Sequence, residues 1–154
     1  MPILVPEVNP EHLGLVASQE FGGSFIVTNP NCSVSGLVLA LKPLVDAFGV
    51  VAVHVKTMQA LSGAGYPGVS ALDALGNVVP FIAGEEEKIE SEPGKILGSV
   101  ADGSIAQHPM AVSAQANRVP VLDGHLLSVS VRLGKKAEVD EAGDVIAAFR
   151  GASI

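Results

Sequence analysis

Pro30 fixes where one element of this chain must stop and another must start. An apolar run, Ser24-Phe25-Ile26-Val27-Thr28, leads into Asn29-Pro30-Asn31-Cys32-Ser33. A helical pattern leaves it, with Leu37, Leu41, Leu44, Val45 and Phe48 on one face. Proline holds the preceding residue in extended backbone and donates no hydrogen bond, so the run is expected to end there as a strand. The lone cysteine, Cys32, then falls at a strand-to-helix turn, beside the unpaired N–H groups of a helix start. That position favours a thiolate and makes Cys32 a candidate nucleophile. A small buried hydrophobe is the commoner fate of an isolated cysteine, and both readings stand at this point.

A chain of 154 residues suits one domain with a real core, and 48% hydrophobic against 16% charged residues excludes disorder. The formal charge of −7, with no basic cluster, argues against nucleic acid and anionic membranes as partners. No stretch reaches the apolar length of a membrane span. One cysteine leaves no intrachain disulfide, and Met1 to Pro6 lacks the regions of a signal peptide, so a cytoplasmic location is expected. The chain opens almost inside a strand at Ile3-Leu4-Val5 and stops soon after a helix ending near Phe149; it reads as an interior segment of something larger.

Ile3 to Val8 reads as a short strand, followed by a short helix with Asn9 as N-cap and Pro10 at its first position. Glu11 and His12 are taken as surface without a role. Gly49 ends the helix from Ser33, which Pro43 should kink or shorten. Val50 to Met58 reads as a strand that puts His54 and Lys56 opposite Val53 and Val55. Gln59 leads into Leu61 to Gly68, a glycine-rich loop able to approach a ligand closely. One helical turn within Val69 to Leu75 and an extended Asn77 to Ile82 follow. An acidic helix then runs from Glu85 towards Leu97, interrupted at Pro93-Gly94, with Glu85 and Lys88 on one face. After a loop from Ala101 to Pro109, Ala111 to Ala116 and Leu126 to Leu133 alternate as strands. Arg118 and His125 flank an Asp123-Gly124 turn between them, which suggests a hairpin-like arrangement. An amphipathic helix, Val139 to Phe149, closes the chain. The expected class is α+β: a mixed, largely antiparallel sheet with helices packed on one face. Its other face, expected to carry several apolar residues, would need a subunit or domain partner.

Four stretches in this order resemble aspartate-semialdehyde dehydrogenases of the archaeal and fungal type. They are Asn29-Pro30-Asn31-Cys32-Ser33, Gln59 with Ser62 to Gly68, Gly84 to Glu90, and Arg118 to His125. The resemblance implies a domain like the C-terminal domain of glyceraldehyde-3-phosphate dehydrogenase. It also implies NADPH-dependent reductive dephosphorylation of L-aspartyl-4-phosphate to L-aspartate 4-semialdehyde through a cysteine thioester, in lysine, threonine and methionine biosynthesis. By the same resemblance Cys32 is the nucleophile and His125 the general acid/base. Gln59 orients the substrate, and Asn31 with the Cys32 N–H holds the oxyanion or phosphate. Arg118 clamps the substrate carboxylate, while Glu85 and Lys88 contact its amino and phosphate groups. Ser62, Gly63, Ala64 and Gly65 lie against the nicotinamide end of NADP. No metal is implied.

Residues 1–28 would then be the end of a nucleotide-binding domain with its entry strand, and 29–154 a catalytic, substrate-binding and dimerisation domain. The glycine-rich first βα turn of a nucleotide-binding domain does not occur in this sequence. The chain alone is therefore expected to bind NADP weakly and turn over little, and the expected assembly is a homodimer. A relative acting on another acyl donor, such as a malonyl-CoA reductase, and a non-catalytic dimerisation fragment are the competing readings.

Overall fold

The computed structural model describes residues 1–152; the last two residues of the expected 29–154 domain lie outside that range. Helix α1, Cys32–Phe48, is started by Asn31, whose side chain accepts the N–H groups of Ser33 and Val34. Val34, Leu37, Val38, Leu41 and Leu44 recur at helical spacing and are buried, forming the centre of the core. Pro43 does not shorten this helix, which runs on to Gly49, a cap residue at φ +70°. Burial of the stripe that Leu41 and Leu44 continue outweighs the lost backbone bond.

Strand β1, Val50–Gln59, follows directly. After a short 3₁₀ turn, Leu61–Ala64, come the one-turn helix α2, Ala71–Ala74, and the two-residue strand β2, Val79–Pro80. Helix α3 spans Glu85–Ile96 and continues through Pro93 and Gly94, correcting the expected interruption. Ile89, Pro93 and Ile96 are buried together along it, and that packing overrides proline's poor propensity. Strands β3, Ser99–Ala101, and β4, Ser104–Ala106, form a small hairpin where a loop was expected. Strands β5, Ala111–Arg118, and β6, His125–Leu133, precede helix α4, Val139–Ala148. Glu138 and Glu141 form a capping box at the start of α4.

The main sheet has the order β2-β5-β1-β6. β5 runs parallel to β1, while β6 and β2 pair antiparallel with β1 and β5. The expected hairpin of β5 with β6 is thus corrected: β1 lies between them. The mixed, largely antiparallel sheet with helices on one face is as expected. Val53, Val55, Thr57 and Gln59 point into the helix-covered face, whereas His54 and Lys56 are exposed on the other. In register that open face carries Ala52, His54, Lys56 and Met58 beside Ala111, Ser113, Gln115 and Asn117, with Leu126, Ser128, Ser130 and Arg132 on the far side.

The N-terminal region differs most from expectation. Neither Ile3–Val8 nor Ser24–Thr28 forms a regular strand; one parallel bridge joins Ile3 to Thr28. Pro10–Ser18 is a 3₁₀ segment, and the Asn9 side chain does not cap it. Asn9 instead accepts the Val5 N–H at 2.8 Å and donates to Ile3 O at 2.9 Å. His12 is not surface. It is fully buried, between the Asn9 amide at 2.9 Å and Gly98 O at 3.1 Å.

Candidate active site

Sheet register assembles most of the site. Gln59, the last residue of β1, sits opposite Arg118 on β5 and opposite His125 on β6. All three belong to the side-chain set that faces the helices, so one cross-strand row points at the start of α1. Cys32, the first residue of α1, is exposed there, with its Sγ 3.3 Å from His125 Nε2. The turn after Gln59 orients both flanking residues. The Ala60 N–H donates to His125 Nδ1 at 3.2 Å, and Ala60 O accepts Arg118 Nη1 at 2.7 Å. Because Nδ1 accepts, the neutral imidazole carries its proton on Nε2 and presents it to the sulfur.

Arg118 is 6% exposed, and among the described residues no carboxylate lies within ion-pairing distance of it. A buried guanidinium whose one protein partner is a carbonyl is suited to an anionic ligand. Gly63 lies directly over this pair. A Cβ there would stand 3.0 Å from Arg118 Nη1 and 3.1 Å from His125 Cε1. Ser62, Gly63 and Gly65 are exposed, and the loop is fixed by Leu61 N–H to Val121 O at 2.8 Å and Ser62 N–H to Leu122 O at 3.1 Å. A surface nearly free of side chains beside His125 leaves room for a flat ring.

Helix α3 supplies the other wall. Glu85 accepts Asn31 Nδ2 on both oxygens, at 2.9 and 2.8 Å, and Gln59 Nε2 at 3.0 Å. Asn31 directs its Nδ2, expected to hold an oxyanion or phosphate, at Glu85 in this structure. Its Oδ1 caps α1 and its amide is spent on Glu85. Lys88, expected beside Glu85, is exposed and makes no hydrogen bond or ion pair among the described residues. Sequence reasoning passed over three further carboxylates of α3. Glu92 accepts the Asn31 backbone N–H at 2.8 Å. Glu86 and Glu90 accept the N–H groups of Ala116 and Ala114, at 2.9 and 3.0 Å, along the β5 edge that β2 does not reach. The signal was the spacing of Glu85 from Glu92 and of Glu86 from Glu90, which sets each pair on one helix face.

Residues 41–154 match the family model described as the semialdehyde dehydrogenase dimerisation domain. Relatives named aspartate-semialdehyde dehydrogenase include one from Methanothermobacter thermautotrophicus, 47% identical over 98% of this chain and 44% of its own length. Another, from Archaeoglobus fulgidus, is 52% identical over 92% of this chain and 42% of its own length. The chain thus spans less than half the length of these curated relatives. Among solved structures, an aspartate semialdehyde dehydrogenase with NADP from Candida albicans superposes with a TM-score of 0.82 at 42% identity, over 94% of this chain and 44% of that one. One complexed with ASA from Vibrio cholerae gives 0.79 at 27% identity, over 96% and 48%. By the family model across most of its residues the chain belongs to the semialdehyde dehydrogenase family, and within it the chain is similar to aspartate-semialdehyde dehydrogenases.

Proposed function

We propose that the protein carrying this chain reduces L-aspartyl-4-phosphate to L-aspartate 4-semialdehyde with NADPH, and that these residues form its substrate-binding and catalytic half. The observation that carries the reading is Cys32 Sγ at 3.3 Å from His125 Nε2, at a helix start, with Arg118 in the same cross-strand row as His125 and without a carboxylate partner among the described residues. The Cys32 thiolate attacks the acyl carbon. A carbon–sulfur bond forms, the carbon–oxygen bond to phosphate breaks, and phosphate leaves with the electron pair. The Nε2–H of His125 stabilises the sulfur before attack and donates to the oxygen that gains charge afterwards. Arg118, anchored through Nη1 on Ala60 O, binds the substrate carboxylate with its remaining N–H groups. Gln59, held by Glu85, lies in the same row and orients the acyl group. Glu85 faces the substrate amine, and exposed Lys88 is one helical turn away for the phosphate.

When bound, NADPH supplies the hydride for reduction of the thioester. The side-chain-poor loop at Ser62, Gly63, Ala64 and Gly65 fits a flat nicotinamide against His125. In this reading residues 29–154 form the catalytic and dimerisation domain, and 1–28 join it to a nucleotide-binding domain. The open sheet face, with its short Ala and Ser side chains around His54, meets a second copy in a homodimer. Among the described residues no helix is long and apolar enough to cross a membrane, and the reading places the enzyme in the cytoplasm. The test is phosphate-dependent reduction of NADP by L-aspartate 4-semialdehyde, comparing this chain with the full-length protein. Activity only in the full-length protein, abolished by Cys32→Ala, is expected. Activity in neither would overturn the assignment.

A further inference from the structure

Every polar group of Asn31 is engaged. Besides the side-chain bonds to Glu85 and to the first N–H groups of α1, its carbonyl accepts the N–H of Ser35 at 3.1 Å and the Ser35 hydroxyl at 3.3 Å. Its own N–H donates to Glu92 Oε2 at 2.8 Å. Glu85 and Glu92 stand two turns apart on α3, ~10 Å along its axis. One helix therefore grips the residue before Cys32 at two points, by its side chain and by its backbone. Glu92 fixes the Pro30–Asn31 peptide, while Ser35 holds the Asn31 carbonyl that leads into Cys32; without the Glu92 contact Asn31 keeps only its side-chain tie to α3, and the direction of the Cys32 Cα–Cβ bond shifts with it.

We infer that Glu92 is a positioning residue that acts through Asn31 to hold Cys32 Sγ against His125 Nε2. This deepens the reading of Cys32 as the reacting group, but it concerns the thiol alone and not its substrate. Two effects of the carboxylate oppose each other. Its negative charge disfavours a nearby thiolate, whereas its hydrogen bond orients the sulfur. Geometry dominates in this proposal, because a glutamine oxygen can take the same N–H while the charge is lost.

The test is the rate of Cys32 alkylation by iodoacetamide in the full-length protein, which needs no substrate or cofactor. Glu92→Ala is expected to slow it about tenfold, in line with a displacement of under 1 Å at a reacting pair. Glu92→Gln should stay within about twofold of the parent, since it retains the acceptor. In a His125→Gln background, Glu92→Ala should cost almost nothing, because the registration it maintains is already gone. Equal slowing in both backgrounds, or a several-fold acceleration in Glu92→Gln, would overturn the proposal. The Gln variant decides between geometry and charge even if the Ala variant fails to fold. Because alkylation is independent of turnover, a failed substrate assignment would leave this result intact.

Discussion

Glu85→Ala removes the acceptor shared by the two side chains that flank the thiol. The carboxylate takes two bonds from Asn31 Nδ2 and one from Gln59 Nε2, all between 2.8 and 3.0 Å. Gln59 is 1% exposed, so its amide cannot turn to water and keeps only Thr57 Oγ1 at 3.3 Å. Asn31 is half-buried and recovers part of its loss from solvent. With hydrogen bonds to a charged group at about 1.5–3 kcal/mol, and one donor left stranded, the expected destabilisation is about 2–4 kcal/mol. For a domain of this size that lowers Tm by roughly 5–15 °C. The assay is thermal unfolding of this chain followed by circular dichroism, with Glu85→Gln as the intermediate case. Glutamine still accepts one bond but sets its own donors against the others. A Glu85→Ala variant as stable as the parent would refute the claim that this carboxylate fastens α3 to α1 and β1.

Three other outcomes follow from particular contacts. Gly63→Ala should lower kcat about 3- to 10-fold in the full-length protein, because its Cβ would push Arg118 and His125 by a few tenths of an ångström. Steady-state kinetics check this, and an unchanged kcat would mean the pair yields without losing register. Gly98→Ala should cost about 1–3 kcal/mol in urea unfolding, since a Cβ there overlaps Ala106 O and crowds the side chain of Ile105. Arg118→Lys keeps the charge but loses the planar fork anchored on Ala60 O, so KM for the acyl phosphate should rise about tenfold with a smaller change in kcat.

What the residues made legible were the elements with strong periods. The α1 stripe of Leu37, Leu41 and Leu44, with Val45 and Phe48 partly buried beside it, the alternation of β1 and β6, and the acidic start of α3 all appear close to where their patterns put them. Pairing was not legible. Asp123-Gly124 carries a hairpin signal, yet β1 separates β5 from β6, because strand neighbours are chosen by long-range burial and not by the turn between them. The opposite error occurred at Asp102-Gly103, where positive φ angles of 50° and 72° close the β3–β4 hairpin. The alternating Ser99 to Ala106 around it was the available signal. Prolines were over-weighted, since Pro43 and Pro93 both sit inside intact helices. Of the candidate site, Cys32, Gln59, Arg118 and His125 converge, but the closure of Asn31 and the part played by Glu92 depend on how α3 packs across the start of α1. No local pattern encodes that distance.

In the proposed reaction Cys32 Sγ is the atom to which the acyl group is transferred. The most direct measurement is intact-mass and peptide analysis of the full-length protein mixed with L-aspartyl-4-phosphate in the absence of NADPH. The account predicts one hydroxylamine-labile aspartyl adduct on the peptide containing Cys32, absent in Cys32→Ser and slowed in His125→Gln. No adduct, or an adduct elsewhere that survives Cys32→Ser, would contradict it.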